Sequence, residues 1–245
     1  MNKIRHQNRI FVFYAVVFSI FPVIAFTQEC QVVQNSSVVI SKPEELYKTT
    51  VMNTGKVMTD LKKNIPRLLF DLRYTTINNF MGVALYPAIH TTWMRKTAAD
   101  SLKAVQVELA GIGLGLKIFD AYRPYSVTQR MWEKIHDERY VADPKKGSGH
   151  NRGIAVDLSI VRLKTGEELE MGTVFDDFSD SAHLSFTGLP AATLGNRLLL
   201  RRIMEKHGFK ALETEWWHFS LQNAKDFELL DIPFTYLMKP CFTKQ

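Results

Sequence analysis

The sequence predicts an α+β fold in a single domain, with a mostly antiparallel sheet and flanking helices. Segments with apolar residues at helical spacing are interspersed with segments in which apolar residues alternate. The strands that carry the candidate functional residues have short, hairpin-like links, such as the turn at residues 164–167. A length of 245 residues, 46% of them hydrophobic and 23% charged, suits one domain with extensions.

Residues 1–27 have the layout of a secretory signal peptide. Three basic residues lie within the first nine positions, residues 10–26 are almost wholly apolar, and the small residues Ala25 and Thr27 allow cleavage. We therefore expect the chain to be exported, with the periplasm as its destination. The alternative is retention of the apolar segment as an anchor, so membrane contact is expected only if this segment is not cleaved.

Charge and cysteine content restrict the partners of the exported chain. Removal of the three basic residues lowers the formal net charge from +6 to +3, which is too small to argue for binding to nucleic acid. Cys30 and Cys241 are the only cysteines and lie near the two ends of the mature chain. An exported protein could join them in a disulfide, and the alternative is two unpaired thiols in the tails.

Residues 28–67 are predicted to be an N-terminal extension, with a helix that starts with Ser41 as its N-cap, Pro43 and two acidic residues in the first turn. The rest of the chain is predicted to alternate between strands and helices. Strands are expected at residues 68–74, 116–122, from 154 and at 209–221, and helices at 92–110, 126–139 and 191–206.

Residues 148–157, Ser-Gly-His-Asn-Arg-Gly-Ile-Ala-Val-Asp, contain a candidate metal-binding pair. Bulky aliphatic residues alternate from Ile154, which places Asp157 on the opposite face of the predicted strand. His150 then lies in the loop before the strand, and Gly153 allows the backbone to bend between the two. Because a carboxylate in an apolar strand is costly unless it is paired or bound to a metal, Asp157 supports a metal site.

Residues 215–218, Glu-Trp-Trp-His, add a second imidazole and a second carboxylate. Two imidazoles and one carboxylate are the ligand set of a catalytic zinc site, which leaves a fourth position for water, and a nearby Glu can accept a proton from that water. In a regular strand Glu215 and His218 point to opposite faces. Both can serve one site only if the chain bends or bulges near Trp216. Glu213, two residues before Glu215, is the competing candidate base.

These motifs resemble those of the zinc D,D-peptidases, in particular the D-alanyl-D-alanine dipeptidases of the vancomycin-resistance type. The pattern Ser-x-His-x-x-Gly-x-Ala-x-Asp is followed by Glu-x-Trp-His in the same order as in that family. Five further segments fit: Asp-Leu-Arg-Tyr at 71–74, Asn-Asn-Phe-Met-Gly at 78–82, Phe-Asp-Ala-Tyr-Arg-Pro at 119–124, Met-Gly-Thr-Val-Phe-Asp at 171–176 and Arg-Arg-Ile-Met-Glu at 201–205. The resemblance spans about residues 68–221, and we assign residues 68–245 to a zinc domain with a catalytic cleft.

The resemblance implies hydrolysis of the D-Ala-D-Ala dipeptide to two D-alanines in cell-wall turnover or recycling, with one zinc ion per chain. It implies that His150, Asp157 and His218 hold the zinc. Glu215 would act first as the general base and then as the acid. Arg123 would stabilise the tetrahedral intermediate.

The resemblance also implies that Ser148 and Asp176 bind the amino end of the substrate, with Asp176 pairing with its free ammonium. Each assignment has a structural alternative: Arg123 could form only an ion pair with Asp120, and Asp176 could belong to a charged surface loop.

Two other functions remain open from the sequence. One is a zinc D,D-carboxypeptidase that trims the terminal D-Ala from wall peptides. The other is a non-catalytic zinc module that binds the cell wall, which the presence of Glu215 and Arg123 disfavours.

Overall fold

The computed structural model describes residues 38–239, and its main feature is a five-stranded sheet. The nine strands are β1 (Val39–Ile40), β2 (Met58–Asp60), β3 (Leu69–Phe70), β4 (Trp93–Arg95), β5 (Leu114–Asp120), β6 (Ala155–Arg162), β7 (Phe209–Leu212), β8 (Glu215–Leu221) and β9 (Leu229–Leu230). The six α-helices are α1 (Pro43–Met52), α2 (Leu61–Asn64), α3 (Lys96–Ala110), α4 (Tyr125–Lys134), α5 (Ala191–Lys206) and α6 (Phe234–Leu237). The predicted signal peptide and both cysteines fall outside the described residues.

The sheets are mixed, which corrects the expectation of a mostly antiparallel sheet. In the main sheet, of order β3-β5-β6-β8-β7, β3 is parallel to β5 and the other three pairs are antiparallel. Of two smaller sheets, β1-β9 is parallel and β2-β4 is antiparallel. The parallel pairs arise because β3 reaches β5 through a crossover that contains α3, and β1 meets a strand from the far end of the chain, so neither connection is a hairpin. Residues 38–239 belong to one compact unit, and the prediction that helices and sheets occur together in it is confirmed.

Two predicted elements are divided in the structure. The helix expected at residues 92–110 begins only at Lys96, because Trp93–Arg95 pair with β2 as a strand. The strand expected at residues 209–221 is a hairpin of β7 and β8 that turns at residues 213–214. In the first case long-range pairing overrides the local apolar pattern, and in the second a two-residue turn divides it.

Other predicted elements differ mainly in length. The helix at residues 191–206 has the predicted bounds, whereas the helix that begins near Ser126 ends at Lys134 and the strand near residue 69 is short. The first helix begins as expected with a proline in its first turn, but Lys42 and not Ser41 occupies its N-cap.

Helices α3 and α5 cover the sheet and bury its apolar core. Helix α3 buries Leu102, Val105 and Leu109 on the side that contacts β5, while α5 buries Leu200 and Met204 near β7. Strand β6 is buried along nearly its whole length because neighbouring strands flank it on both sides. The central strand, which carries Asp157, is therefore held rigidly.

The segment predicted as an extension makes extensive contacts with the rest of the described chain. Strand β1 pairs with β9, β2 pairs with β4, and Leu46 of α1 is buried. The boundary at residue 67 stays a prediction. Within residues 38–239, no helix is long and apolar enough to span a bilayer.

Candidate active site

Three neighbouring strands place chemically active side chains in one row. Asp157 on β6 is paired with Asp120 on β5 and with His218 on β8. The register of β5 shifts between Ile118 and Asp120, which marks a β-bulge just before its end. The row therefore lies where the strands of the main sheet meet the loop that carries His150.

A bulge in β8 brings Glu215 and His218 to the same site, which is the condition predicted from the sequence for the two to act together. Leu212 of β7 pairs with Glu215 while its neighbour Ala211 pairs with Phe219, so three residues of β8 lie between successive partners. The extra residues break the alternation of faces. Glu215 and His218 consequently line one cavity, and Glu213 is exposed in the turn and is not among the lining residues.

His150 is held by a tight loop before β6. Gly153 has φ of +71°, a conformation that favours glycine, and its amide donates a hydrogen bond to the carbonyl oxygen of His150 at 3.0 Å. The Nδ1 atom of His150 lies 2.6 Å from the carbonyl oxygen of Ala121, which orients the buried ring. Such a contact to the second ring nitrogen is typical of histidines that bind a metal through the first.

His150, Asp157 and His218 form a group that could hold a metal ion, because one ligand atom from each lies within 4.8 Å of the others. Nε2 of His150 is 3.2 Å from Nδ1 of His218, and the Asp157 carboxylate lies 3.3 Å and 2.9 Å from these two nitrogens. Burial raises the pKa of Asp157, but the charges and hydrogen bonds of the two imidazoles outweigh burial and lower that pKa overall. An ionised carboxylate with two imidazoles fits the ligand set of zinc.

Glu215 is buried beside this group, with 6% of its surface exposed. Burial raises its pKa well above the usual range, and the charges of Asp157 and Asp176 raise it further. A carboxyl group in this setting is suited to hold a proton and to release it, as a general base and acid must.

Arg123 forms the ion pair with Asp120 that the sequence offered as one alternative, and it also lines the cavity. Its Nε and Nη2 atoms lie 3.0 Å and 2.9 Å from Oδ2 of Asp120, and Nη2 is 3.7 Å from Asp157. The buried Asp120 also accepts hydrogen bonds from the hydroxyl of Tyr86 at 2.9 Å and 3.1 Å. The Tyr86 contact could not be predicted from the sequence, because 34 residues separate Tyr86 from Asp120 and no motif links them.

Asp176 lies at the wall of the cavity and not on a charged surface loop. It accepts hydrogen bonds from the hydroxyl of Tyr74 at 3.0 Å and from the amide of Phe80 at 3.5 Å. Its φ of +65° is rare for a residue with a side chain. Burial, followed by the charge of Asp157, raises the pKa of Asp176 to about 7.

One cavity of about 200 Å³ is lined by all seven residues singled out from the sequence. These residues are Arg123, Ser148, His150, Asp157, Asp176, Glu215 and His218. Ser148 is half-buried, and its hydroxyl accepts a hydrogen bond from the amide of Asn151 at 3.1 Å. Aromatic side chains form much of the remaining wall: Tyr74, Phe80, Tyr140, Phe178 and Trp217. A small, charged cavity suits a small polar ligand.

The chain is similar to known proteins of one peptidase family. The D-Ala-D-Ala dipeptidase family, peptidase M15, matches residues 54–239. The D-alanyl-D-alanine dipeptidase of Escherichia coli (strain K12) is 36% identical over 190 residues, which cover 77% of this chain and 97% of that protein. A protein of the same name from Enterococcus faecium is 32% identical over 185 residues, covering 67% of this chain and 91% of that protein.

A further relative of the same name, from Enterococcus faecalis (strain ATCC 700802 / V583), is 31% identical over 171 residues, covering 62% of this chain and 85% of that protein. A solved structure of the LdcB LD-carboxypeptidase matches with a TM-score of 0.36 and 21% identity, covers 58% of this chain and 66% of that one, and is too distant to support an argument. The family match extends over most of the chain, and the Escherichia coli relative is covered almost completely. The chain belongs to the peptidase M15 family of D-Ala-D-Ala dipeptidases.

Proposed function

We propose that this metallopeptidase hydrolyses the D-Ala-D-Ala dipeptide to two D-alanines. The observation that carries the proposal is the cavity of about 200 Å³ in which a metal-binding group, a buried Glu and a buried Arg meet a carboxylate suited to an ammonium. The matched relatives that are named D-alanyl-D-alanine dipeptidases support the same substrate. Zinc is the cofactor of the family, and His150, Asp157 and His218 would hold it.

Glu215 moves the proton in the proposed reaction. When bound, zinc lowers the pKa of water and polarises the substrate carbonyl. A carboxylate oxygen of Glu215 accepts the proton of the attacking water and then donates it to the nitrogen of the leaving D-alanine. The raised pKa of Glu215 suits both steps, because a carboxylate of ordinary pKa would be a weak base toward the water and would lose the proton to solvent before the leaving nitrogen takes it.

Arg123 stabilises the negative charge that develops on the carbonyl oxygen during attack. Its guanidinium is buried, so it acts in surroundings that screen charge poorly. Asp120 holds the Nε and Nη2 atoms in place before substrate arrives. This arrangement avoids the cost of ordering a long side chain during the reaction.

Asp176 selects for a free amino end. A dipeptide offers its ammonium to this carboxylate, with Ser148, which lines the same cavity, assisting. An acylated or longer peptide has no ammonium at this point and would leave the half-buried carboxylate without a cationic partner. The site therefore favours a dipeptidase over a carboxypeptidase.

The first test measures release of free D-alanine by the purified mature protein with zinc, from D-Ala-D-Ala and from N-acetyl-D-Ala-D-Ala side by side. We expect cleavage of the free dipeptide alone, and we expect Asp176→Asn to reduce kcat/KM for it at least tenfold. Cleavage of the acetylated substrate as well would move the assignment to a D,D-carboxypeptidase. Zinc binding without turnover of either substrate would support a non-catalytic wall-binding module.

We also propose that the protein is exported and acts on D-Ala-D-Ala released during wall turnover. The basic and then apolar residues 1–27 motivate the proposal. Subcellular fractionation of the native producer is the test. Recovery of the protein only in the cytoplasm would overturn it, and recovery in the membrane fraction would indicate that the segment is retained.

A further inference from the structure

The proposed substrate carries two charges, and the site described so far accounts for one of them. D-Ala-D-Ala is a zwitterion, with an ammonium at one end and a carboxylate at the other. In the proposed complex, Asp176 forms an ion pair with the ammonium. If the proposed function holds, the carboxylate needs a cation or strong donors, since its hydration is lost when the cavity encloses it.

Only two residues with a permanent positive charge line the cavity within residues 38–239, namely Arg123 and Arg139. Arg123 already has anionic partners. Asp120 binds two of its nitrogens, and Nη2 also lies near Asp157. A second anion at Arg123 would also compete with the carbonyl oxygen on which charge develops. This leaves Arg139 as the cation available to the carboxyl end.

Arg139 lies at the rim of the cavity on a well-anchored loop. Its carbonyl oxygen accepts a hydrogen bond at 2.9 Å from the hydroxyl of Thr214, the residue before Glu215. The next residue, Tyr140, also lines the cavity and stacks on Phe178 with ring centroids 4.6 Å apart. The loop position is therefore tied to the strand that carries the general base.

Asp137 orients the guanidinium of Arg139 but does not use all of its hydrogen-bond donors. Nε and Nη2 donate to the Asp137 carboxylate at 3.0 Å and 2.6 Å, while Nη1 makes no hydrogen bond within residues 38–239. The side chain is 62% exposed, so a ligand in the cavity mouth can reach it. Asp137 restrains the side chain and leaves donor capacity for a second carboxylate, because a guanidinium has five N–H donors.

We propose that Arg139 binds the terminal carboxylate of the dipeptide and so determines specificity for a free carboxyl end. The residue is a binding determinant at the mouth of the cavity, opposite in charge to Asp176. Together the two would select a short zwitterion by both of its ends. Because the contact is partly exposed, its effect is on the order of tenfold in affinity.

The test uses zinc-loaded protein and two substrates, D-Ala-D-Ala and its C-terminal amide. In Arg139→Gln the KM for the dipeptide should rise about tenfold while kcat stays within about twofold, and the KM for the amide should not change. In Arg139→Lys the KM for the dipeptide should rise less, since the ammonium supplies the positive charge but not the paired donors of a planar guanidinium. Arg130→Gln is the matched control, because Arg130 is exposed on α4 and does not line this cavity.

An unchanged KM for the dipeptide in Arg139→Gln would overturn the proposal, as would an equal rise for both substrates. Calorimetry in a Glu215→Gln background gives a measurement that does not depend on turnover: Arg139→Gln should raise the Kd of the dipeptide about tenfold and leave that of the amide unchanged. A wild type that binds the dipeptide through Arg139 but does not cleave it would contradict the proposed function and support this inference. A wild type that cleaves the dipeptide with no contribution from Arg139 would do the reverse.

Discussion

At the residue scale, Glu215 and Glu213 offer a matched pair, two carboxylates separated by one residue. Glu215 is buried in the cavity wall and Glu213 is exposed in the turn of the hairpin. We expect Glu215→Gln to reduce kcat by about 10²- to 10⁴-fold, because the amide cannot accept the proton of water. Zinc content, measured by metal analysis, should not change.

Glu213→Gln is the control for this substitution and should leave kcat unchanged. Loss of activity in Glu213→Gln with full activity in Glu215→Gln would reverse the assignment of the base. The bulge in β8 gives the physical reason for our choice, since it directs Glu215 and His218 into the same cavity.

Tyr86 provides a second residue-scale prediction, because its hydroxyl donates to both oxygens of Asp120. In Tyr86→Phe the Asp120 carboxylate loses this donor and restrains Arg123 less firmly. We expect kcat to fall about tenfold while KM and zinc content are preserved, since Tyr86 does not line the cavity. Steady-state kinetics with metal analysis measure these quantities.

Tyr122→Phe is the control for Tyr86→Phe. The Tyr122 hydroxyl is also buried, but it donates to the carbonyl oxygen of Ile232 at 2.9 Å and not to the Arg123 network. Both variants should lose about 1 kcal/mol in the free energy of unfolding. Equal loss of kcat in the two variants would show that Tyr86 acts only through stability.

At the scale of the element, the loop before β6 determines where His150 lies. Gly153 has φ of +71°, and a Cβ atom there would lie 3.2 Å from Sδ of Met58. We expect Gly153→Ala to lower the free energy of unfolding by about 1–2 kcal/mol, because a side chain is strained in this conformation. The displaced loop should also weaken zinc binding, which competition with a chelator measures.

Gly113→Ala is the control for Gly153→Ala, because it introduces backbone strain away from the zinc ligands. Gly113 has φ of +79° with open space around its missing Cβ, and it lies in the turn between α3 and β5. The variant should lose a similar amount of stability but retain the zinc affinity of the wild type. Weakened zinc binding in both variants would indicate a general effect of destabilisation.

At the scale of the whole molecule, Arg95 joins three distant parts of the described chain. Its fully buried guanidinium donates to the carbonyl oxygens of Lys56 at 2.7 Å, Arg152 at 3.1 Å and Glu228 at 3.5 Å. Arg95→Met should lower the free energy of unfolding by about 3–5 kcal/mol, because these three buried carbonyl oxygens lose their donor and the Glu228 carboxylate keeps only its ion pair with Lys56. We expect thermal unfolding to shift down by roughly 10 °C.

Lys96→Ala is the neighbouring control, since the Lys96 side chain forms, within residues 38–239, only an exposed ion pair with Asp100. Its midpoint of thermal unfolding should change by no more than about 2 °C. A midpoint for Arg95→Met as high as that of Lys96→Ala would show that the Arg95 network does not stabilise the molecule.

The donor set of the site could be predicted from the sequence because its members lie in short motifs. His150 and Asp157 are separated by a single turn and the start of one strand, and Glu215 and His218 belong to one segment. Local patterns report local backbone conformation, which is also why the bounds of the helix at residues 191–206 were predicted correctly. The need for a bulge in β8 followed from the two-residue period of a strand.

The sequence by itself determined the chemical groups of this protein, the family to which it belongs and the helices with strong apolar periodicity. Only the tertiary structure decided the parallel pairing of β3 with β5, the contact of Tyr86 with Asp120 and the position of Arg139 at the mouth of the cavity. These features join residues that are far apart in the chain or depend on how a loop packs. The spacing of apolar residues along the sequence does not predict these features, because strand pairing and loop position depend on the packing of the whole molecule.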